Sequence, residues 1–219
     1  MKNLNRWHLI FIKNYEGYLG GKNILDLGCG NNIPFIRELF NKGINKYIGI
    51  DPDEQSLEIL KENFKNEIKA GKLILINDLV EENLVWRIKD LLLNNTIDLI
   101  TSFEVIEHLV SPHPFIQGII NIANFAKKNN PKVKIILSTP NAFNIKRLFY
   151  YCILQKYNDP LMDIANNRNP EQIRGYSYSI MKQLLQNYRI RDVKFLSCKN
   201  IPYFLCRYFT RNIIVEFSI

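Results

Sequence analysis

A short apolar run that ends in Asp26-Leu27-Gly28-Cys29-Gly30 constrains the fold of this chain more than any other feature. The run is typical of a buried strand, and the glycines favour a tight turn whose backbone can approach a ligand. Asp51 follows 21 positions after Gly30, at the end of a second apolar run. A carboxylate there can accept hydrogen bonds from a ribose. Together the two segments predict an adenosine-binding site.

The spacing of the loop also indicates which adenosine ligand fits. A dinucleotide fingerprint has a third glycine three positions after the second, where the pyrophosphate meets a helix N-terminus. Ile33 occupies that position here, and Pro34 after it suits the first turn of a helix. Asp26, ahead of the glycines, favours a ligand that carries an ammonium group over one that carries phosphates.

Residues 22–141 resemble the class I S-adenosylmethionine-dependent methyltransferases. Four blocks carry the resemblance in the expected order: the glycine loop 23–30, the strand end 47–51, the acidic segment 77–79, and the fourth and fifth strands within 97–109 and 135–141. The resemblance implies S-adenosyl-L-methionine as the cofactor. The cofactor-binding residues that it implies are Asp26, Gly28, Cys29, Gly30, Asp51, Pro52, Asp78, Leu79 and Phe103.

The resemblance also gives roles to these residues. It implies that the backbone at Gly28 and Gly30 approaches the methionine portion, that Asp51 binds both ribose hydroxyls, and that Asp78 faces the adenine amino group. Asp51-Pro52-Asp53 can also act as a helix N-cap, and that role is compatible with ribose binding. Asp78 could instead belong to a solvated acidic turn with the nearby glutamates. The thiol of Cys29 is expected to pack rather than react.

His108 is the predicted general base, because histidine titrates near neutral pH and follows the fourth strand beside the expected methyl group. A structural role in this turn is the alternative. If the segment is helical, Glu104, Glu107 and His108 converge, and a similar triplet holds a divalent ion in some ubiquinone-pathway and small-RNA methyltransferases. Those RNA enzymes supply another histidine downstream, whereas none follows His113 here. We therefore predict no metal ligand.

The apolar pattern predicts strands alternating with helices. Strands are expected at 23–27, 47–50, 73–76, 97–102, 133–138, 190–196 and 213–217, and helices at 6–19, 34–41, 56–66, 84–93, 115–128 and 179–187. This alternation indicates an α/β fold: a doubly wound, mostly parallel seven-stranded sheet with helices on both faces, as in Rossmann-like methyltransferases. We expect one domain over 1–219, with a leading helix in 1–21.

Residues 144–178 interrupt the alternation: they are expected to begin with an aromatic-rich helix at 145–154 and to continue as a long polar loop. A loop of this length is usually functional, and its position after the fifth strand predicts a substrate-facing lid, with core packing as the alternative. The N-terminus lacks a signal-peptide pattern and no long apolar run occurs, so we expect a cytoplasmic protein. The four cysteines form no paired ligand sets, which argues against a zinc site or a disulfide framework.

A net charge of +8 leaves two classes of methyl acceptor open. The leading hypothesis is transfer to oxygen of a small or lipid-linked metabolite, with nitrogen or carbon as the alternative acceptor atom. The alternative is an RNA acceptor, because basic proteins attract polyanions and arginines concentrate in the second half of the chain. A cofactor-binding scaffold without catalysis is the third hypothesis. The sequence predicts neither the acceptor nor the oligomeric state.

Overall fold

The computed structural model describes residues 4–145, 149, 174–196, 205 and 208–219. The strands are β1 (Asn23–Leu27), β2 (Lys46–Asp51), β3 (Leu73–Asn77), β4 (Leu99–Phe103), β5 (Lys134–Pro140), β6 (Lys194–Phe195) and β7 (Asn212–Phe217). They form one sheet in the order β3-β2-β1-β4-β5-β7-β6. The five strands from β3 to β5 run parallel, and β7 pairs antiparallel with both β5 and β6.

Helices cover both faces of this sheet. They are α1 (Arg6–Tyr15), α2 (Ile33–Asn41), α3 (Glu54–Asn63), α4 (Lys65–Lys69), α5 (Leu84–Arg87), α6 (Lys89–Asn94), α7 (Pro112–Ala126) and α8 (Tyr178–Asn187), with a 3₁₀ turn at Ile106–His108. Helices α1, α2 and α3 contribute to the core on one face, and α5 to α8 to the core on the other. The predicted doubly wound α/β fold is therefore confirmed.

The pleat of the sheet decides which side chains meet α1. Successive residues of a strand face opposite sides, so Asp26 of β1 and Thr101 of β4 share one face with Tyr47 of β2. That face also buries Phe11 of α1 and Phe35 of α2. A polar cluster therefore lies beneath an aromatic core at the centre of the sheet.

Element boundaries depart from the sequence pattern where the backbone leaves helical geometry. The helix expected at 56–66 is divided at Phe64, which has φ −126° and ψ 34° and caps α3. The helix expected at 84–93 is divided in the same way at Ile88. Helix α7 begins earlier than expected because Pro112 occupies its first turn, where a missing N–H costs no hydrogen bond. The strand expected at 190–196 is only two residues long.

Several sequence predictions fall outside the described residues. Most of the expected lid 144–178 does so, because 146–148 and 150–173 are not described, and so do Cys152, Cys198 and Cys206. Among the described helices, none is both long and apolar enough to cross a membrane.

Candidate active site

The turn after β1 depends on two glycines with left-handed backbone geometry. Gly28 has φ +80° and Gly30 has φ +52°, a region that other L-residues rarely adopt. The amides of Gly28 and Cys29 both donate to the carbonyl of Ile50 in β2, at 2.8 and 3.2 Å. A Cβ atom on Gly28 would lie 2.4 Å from Cγ2 of Val105, so conformation and space both require glycine there.

Cys29 points into the protein rather than toward a reaction partner. Its side chain is buried, and its Sγ would lie 2.8 Å from a Cβ atom placed on Gly49 of β2. Burial raises the pKa of the Cys29 thiol far above its ordinary value, with smaller contributions from the charges of Asp26 and Asp51. The thiol therefore stays protonated at neutral pH and fills space beside the loop.

Asp51 ties the end of β2 to the glycine loop. Its Oδ2 accepts a hydrogen bond from the amide of Gly30 at 2.7 Å, and its Oδ1 accepts one from the amide of Asp53 at 2.9 Å. Within Asp51-Pro52-Asp53, the predicted N-cap residue is Asp53, whose Oδ1 accepts a hydrogen bond from the amide of Gln55 at the start of α3. Each oxygen of Asp51 retains a further lone pair, so the carboxylate can still accept from two hydroxyls.

Asp26 is a buried carboxylate held by two hydroxyls. Tyr47 Oη donates to its Oδ2 at 2.5 Å, and Thr101 Oγ1 donates to its Oδ1 at 2.7 Å. Desolvation raises the pKa of Asp26 to about 6, against the lowering effect of the two hydrogen bonds. A cationic ligand group beside Asp26 would restore its preference for the charged form.

The loop, the strand ends and α1 enclose a cavity of about 420 Å³ at the carboxyl ends of β1, β2 and β4. Open α/β sheets bind ligands at this edge. The lining residues are Trp7, His8, Asp26, Gly28, Cys29, Gly30, Asn31, Asn32, Phe35, Asp51, Pro52, Phe103, Glu104, Val105, His108 and Leu109. This described lining contains three carboxylates and neither lysine nor arginine, so the cavity favours cationic ligand groups.

Seven of the nine predicted cofactor-binding residues line this cavity, and two do not. Asp78 and Leu79 lie beyond the end of β3, outside the lining. The carboxylate of Asp78 pairs with the guanidinium of Arg87 through bonds of 2.7 and 2.8 Å. The amide of Asp78 nevertheless donates to the carbonyl of Asp51, so the segment adjoins the end of β2. Its contact with adenine stays a prediction.

Two cavity residues come from α1, far from the glycine loop in sequence. The ring of Trp7 stacks on Phe103 with centroids 5.0 Å apart, and the ring of His8 stacks on Phe35 at 3.9 Å. His8 Nε2 also lies 3.0 Å from the side-chain amide of Asn32. The sequence predicted the leading helix, but it did not indicate that aromatic side chains of this helix would line the cavity.

His108 lines the cavity at the end of the 3₁₀ turn, with its side chain 48% exposed. Glu107 beside it is buried, with Oε1 3.9 Å from His108 Nε2. The carbonyls of Leu109 and Val110 accept hydrogen bonds from the Arg174 guanidinium. The described part of the expected lid is therefore anchored to the segment that follows His108.

Glu104 adopts a conformation that separates it from the helical turn. Its φ is +56°, and helical geometry begins only at Ile106. Its carboxylate accepts hydrogen bonds from Ser138 Oγ at 2.7 Å and from Asn212 Nδ2 at 3.1 Å. Across the described residues, no three His, Cys, Asp or Glu side chains are placed to hold a metal ion. Glu104 therefore lies outside the helical turn that holds Glu107 and His108, whereas the predicted convergence of the three side chains requires all of them in one helical segment.

Comparison with known proteins decides the family. Residues 14–191 match the family model described as a methyltransferase domain. The chain belongs to this family. Its resemblance to the class I enzymes is thereby confirmed, and S-adenosylmethionine is the cofactor that the family and its solved members support.

Among curated proteins, the ubiquinone biosynthesis O-methyltransferase of Idiomarina loihiensis is 28% identical over 143 residues, which are 65% of this chain and 52% of that protein. The mitochondrial enzyme of the same name from Schizosaccharomyces pombe is 27% identical over 129 residues, 58% of this chain and 41% of that protein. The chain thus spans about half the length of the curated relatives it matches.

Solved structures share the fold at low identity. The methyltransferase domain of bacterial CtHen1 superposes with a TM-score of 0.63 and 20% identity, over 98% of each chain. The small RNA methyltransferase HEN1 gives 0.60 and 17%, over 97% of this chain and 25% of that one. Magnesium protoporphyrin IX methyltransferase from Synechocystis PCC 6803, solved with bound S-adenosylmethionine, gives 0.53 and 15%, over 96% and 76%.

Proposed function

We propose that this chain binds S-adenosylmethionine in the cavity and transfers its methyl group to an oxygen atom of a small or lipid-linked metabolite. The charge of the cavity is the observation that carries the proposal. Asp26, Asp51 and Glu104 line it without a described lysine or arginine. Such a lining suits a ligand with an ammonium and a sulfonium group, and it disfavours the phosphates of a dinucleotide.

The proposed roles follow the order of the strands. Asp51 at the end of β2 accepts hydrogen bonds from the ribose hydroxyls, beside Pro52. The backbone of Gly28 and Gly30 lies against the methionine portion, whose ammonium group pairs with Asp26. Cys29 and Phe103 complete the walls beside that portion. Asp78 and Leu79 adjoin the adenine, outside the present cavity.

Catalysis requires that the acceptor be aligned with the methyl group and that the acceptor hydroxyl lose one proton. When bound, the cofactor supplies a methyl group that its sulfonium already activates, so the protein chiefly orients the acceptor and excludes water. His108 takes the proton that an acceptor hydroxyl releases as its oxygen forms the new bond to carbon. The 48% exposure of its side chain supports this role, because an acceptor that enters from solvent can contact the imidazole.

The relatives named as ubiquinone biosynthesis O-methyltransferases support an oxygen acceptor for this chain. RNA is a second candidate acceptor. The net charge of +8 favours it, and HEN1, named as a small RNA methyltransferase, shares the fold. The basic charge does not extend to the described cavity lining, so the metabolite remains our primary proposal.

The ribose assignment is tested by changing Asp51 to Ala. Loss of hydrogen bonds to a charged group should cost about 1.5 to 3 kcal/mol, which lowers S-adenosylmethionine affinity about 10 to 100-fold in calorimetry. Asp53→Ala is the matched control, because Asp53 caps α3 and does not line the cavity. It should lower the free energy of unfolding by about 1 kcal/mol with little effect on affinity. Equal affinities of Asp51→Ala and wild type would refute the ribose assignment.

A further inference from the structure

Helix α1 contributes an aromatic wall to the cofactor cavity. Trp7 lies nearly parallel to Phe103, with an interplanar angle of 23° and centroids 5.0 Å apart. Phe35 meets Phe103 edge to face at 5.5 Å and 89°, and Trp7 at 6.2 Å and 66°. All three rings line the cavity, and their mutual packing fixes the wall without a ligand.

The order of the strands places this wall relative to the bound cofactor. The ends of β2, β1 and β4 lie side by side in the sheet. In the proposed function the ribose binds at Asp51, at the end of β2. The sulfur is joined to the ribose through one carbon atom, and the methionine portion extends beyond it over β1. Phe103 ends β4, the next strand, so the Trp7 and Phe103 rings border the sulfur side of the cavity.

The electrostatics of the wall suit a cation. The faces of aromatic rings carry partial negative charge, and tryptophan attracts cations most strongly. His8, also in the wall, stays neutral at physiological pH because desolvation lowers its pKa to about 2. The described lining adds three carboxylates and neither lysine nor arginine. No lysine or arginine of the described lining therefore competes with a ligand cation for the ring faces.

We propose that Trp7, stacked on Phe103, is a specificity-determining residue that favours the positively charged sulfonium cofactor over its neutral thioether product. The inference rests on the proposed function. When the methyl group is transferred, the electron pair of the broken carbon–sulfur bond stays on sulfur, which becomes neutral. The attraction of the wall is then lost, and the product is held less tightly than the cofactor that replaces it.

Calorimetric titrations with three ligands distinguish the effect of charge at the sulfur position from the effect of ligand shape. S-adenosylmethionine is cationic at sulfur, S-adenosylhomocysteine is neutral there, and sinefungin carries a protonated amine near the same position. Trp7→Leu should weaken binding of the two cationic ligands about 3 to 30-fold more than binding of S-adenosylhomocysteine. Trp7→Phe should give an intermediate ratio, because phenylalanine retains a weaker ring face.

Trp86→Leu is the matched control, because Trp86 is 68% exposed and does not line the cavity. It should leave all three affinities unchanged. The ratio of affinities within one variant does not depend on the folded fraction, so partial unfolding of Trp7→Leu cannot mimic the effect. Equal losses for all three ligands, or no loss, would overturn the inference. If wild-type protein binds none of the three, the proposed function itself fails.

Discussion

At the scale of single residues, Asp26 is the carboxylate that we propose as the partner of the cofactor's ammonium group, and its burial weakens the fold of the unliganded protein. Burial raises its pKa from 3.8 to about 6. Between these values the folded state binds more protons than the unfolded state, so stability falls as pH rises from about 4 to 6. Above pH 6 the charged, desolvated group costs at most about 3 kcal/mol.

Asp26→Asn should therefore raise the stability of the unliganded protein and lower its affinity for S-adenosylmethionine. The amide keeps contacts with the hydroxyls of Tyr47 and Thr101, which can rotate to donate or accept. We expect a higher melting temperature than wild type at pH 7.5 without ligand, and a smaller difference at pH 4. The affinity for S-adenosylmethionine should fall at least tenfold, because the ammonium group loses its partner.

The pH dependence of binding supplies an independent measurement. Below pH 6 the wild-type carboxyl of Asp26 takes up a proton, so affinity should fall toward tenfold for each further pH unit. The Asp26→Asn variant should give a flat profile from pH 5 to 7. A variant with lower stability and unchanged affinity would show that Asp26 serves the fold alone.

His108 should affect turnover rather than cofactor binding. His108→Ala is expected to reduce kcat by about 10² to 10⁴, the usual contribution of a general base, with S-adenosylmethionine affinity within twofold of wild type. His113→Ala is the matched control, since His113 contacts Tyr188 and does not line the cavity. Transfer of a labelled methyl group to any acceptor that the wild-type protein methylates measures both variants.

Chelation tests whether a metal ion participates. The Glu104 carboxylate accepts hydrogen bonds from Ser138 and Asn212, and Glu104 precedes the 3₁₀ turn. We therefore expect that EDTA does not lower the rate of methyl transfer. Loss of turnover with EDTA, restored by magnesium, would contradict this expectation and assign Glu104 and Glu107 to metal binding. Unchanged kcat in His108→Ala would instead leave this histidine a structural residue of the turn.

At the scale of elements, local patterns predicted the strands better than the side-chain contacts between elements. The apolar run before Gly28 and the turn glycines are adjacent in sequence, and the predicted strand 23–27 matches β1. The packing of Trp7 on Phe103 joins residues of α1 and β4, which no local pattern connects. The pairing of Asp78 with Arg87 escaped prediction because it depends on how the chain turns into α5.

Helix α7 packs against the backbone of the segment between β3 and α5, and Gly118 permits the contact. A Cβ atom there would lie 2.4 Å from the carbonyl oxygen of Glu81 and 2.8 Å from its carbonyl carbon. Alanine gains about 1 kcal/mol of helix propensity, but a backbone group cannot move aside as a flexible side chain can. The steric cost of the contact with the Glu81 carbonyl therefore exceeds the gain in helix propensity.

Gly118→Ala should lower the free energy of unfolding by about 1 to 3 kcal/mol, as overpacking usually does. Because the displaced segment also carries Asp78, S-adenosylmethionine affinity should fall as well. Gly20→Ala is the matched control, since a Cβ atom there meets nothing within 4 Å. Urea unfolding and calorimetry measure both effects. A stabilised Gly118→Ala variant would show that helix propensity outweighs the contact.

At the scale of the whole molecule, the sequence predicted the architecture because the sheet is assembled from short, strongly apolar strands. Five of them lie parallel in the order β3-β2-β1-β4-β5, and the same strands carry Asp26 and Asp51 to one edge. The acceptor side is less predictable, because the expected lid 144–178 contains a long polar loop without a strand or helix period, and most of the lid lies outside the described residues.

The net charge of +8 makes RNA affinity a test of the acceptor class. If the acceptor is a metabolite, RNA should bind only through general attraction to basic side chains. We expect a dissociation constant of about 10⁻⁴ to 10⁻⁶ M at physiological salt in a titration with total RNA. The cofactor affinity of the same protein, measured at each salt concentration, controls for folding.

An RNA acceptor would give a different result, because each neutralised phosphate releases a counterion. A protein that contacts six to ten phosphates loses about 10³ to 10⁵ in affinity between 50 and 200 mM salt. Tight binding with that slope, together with methyl transfer to RNA, would replace the metabolite with RNA as the acceptor. Arg191→Gln, at an exposed arginine after α8, should then flatten the slope by nearly one unit if it contacts a phosphate. Weak RNA binding that is unchanged in Arg191→Gln would agree with positive charge that is spread over the surface and absent from the described cavity lining.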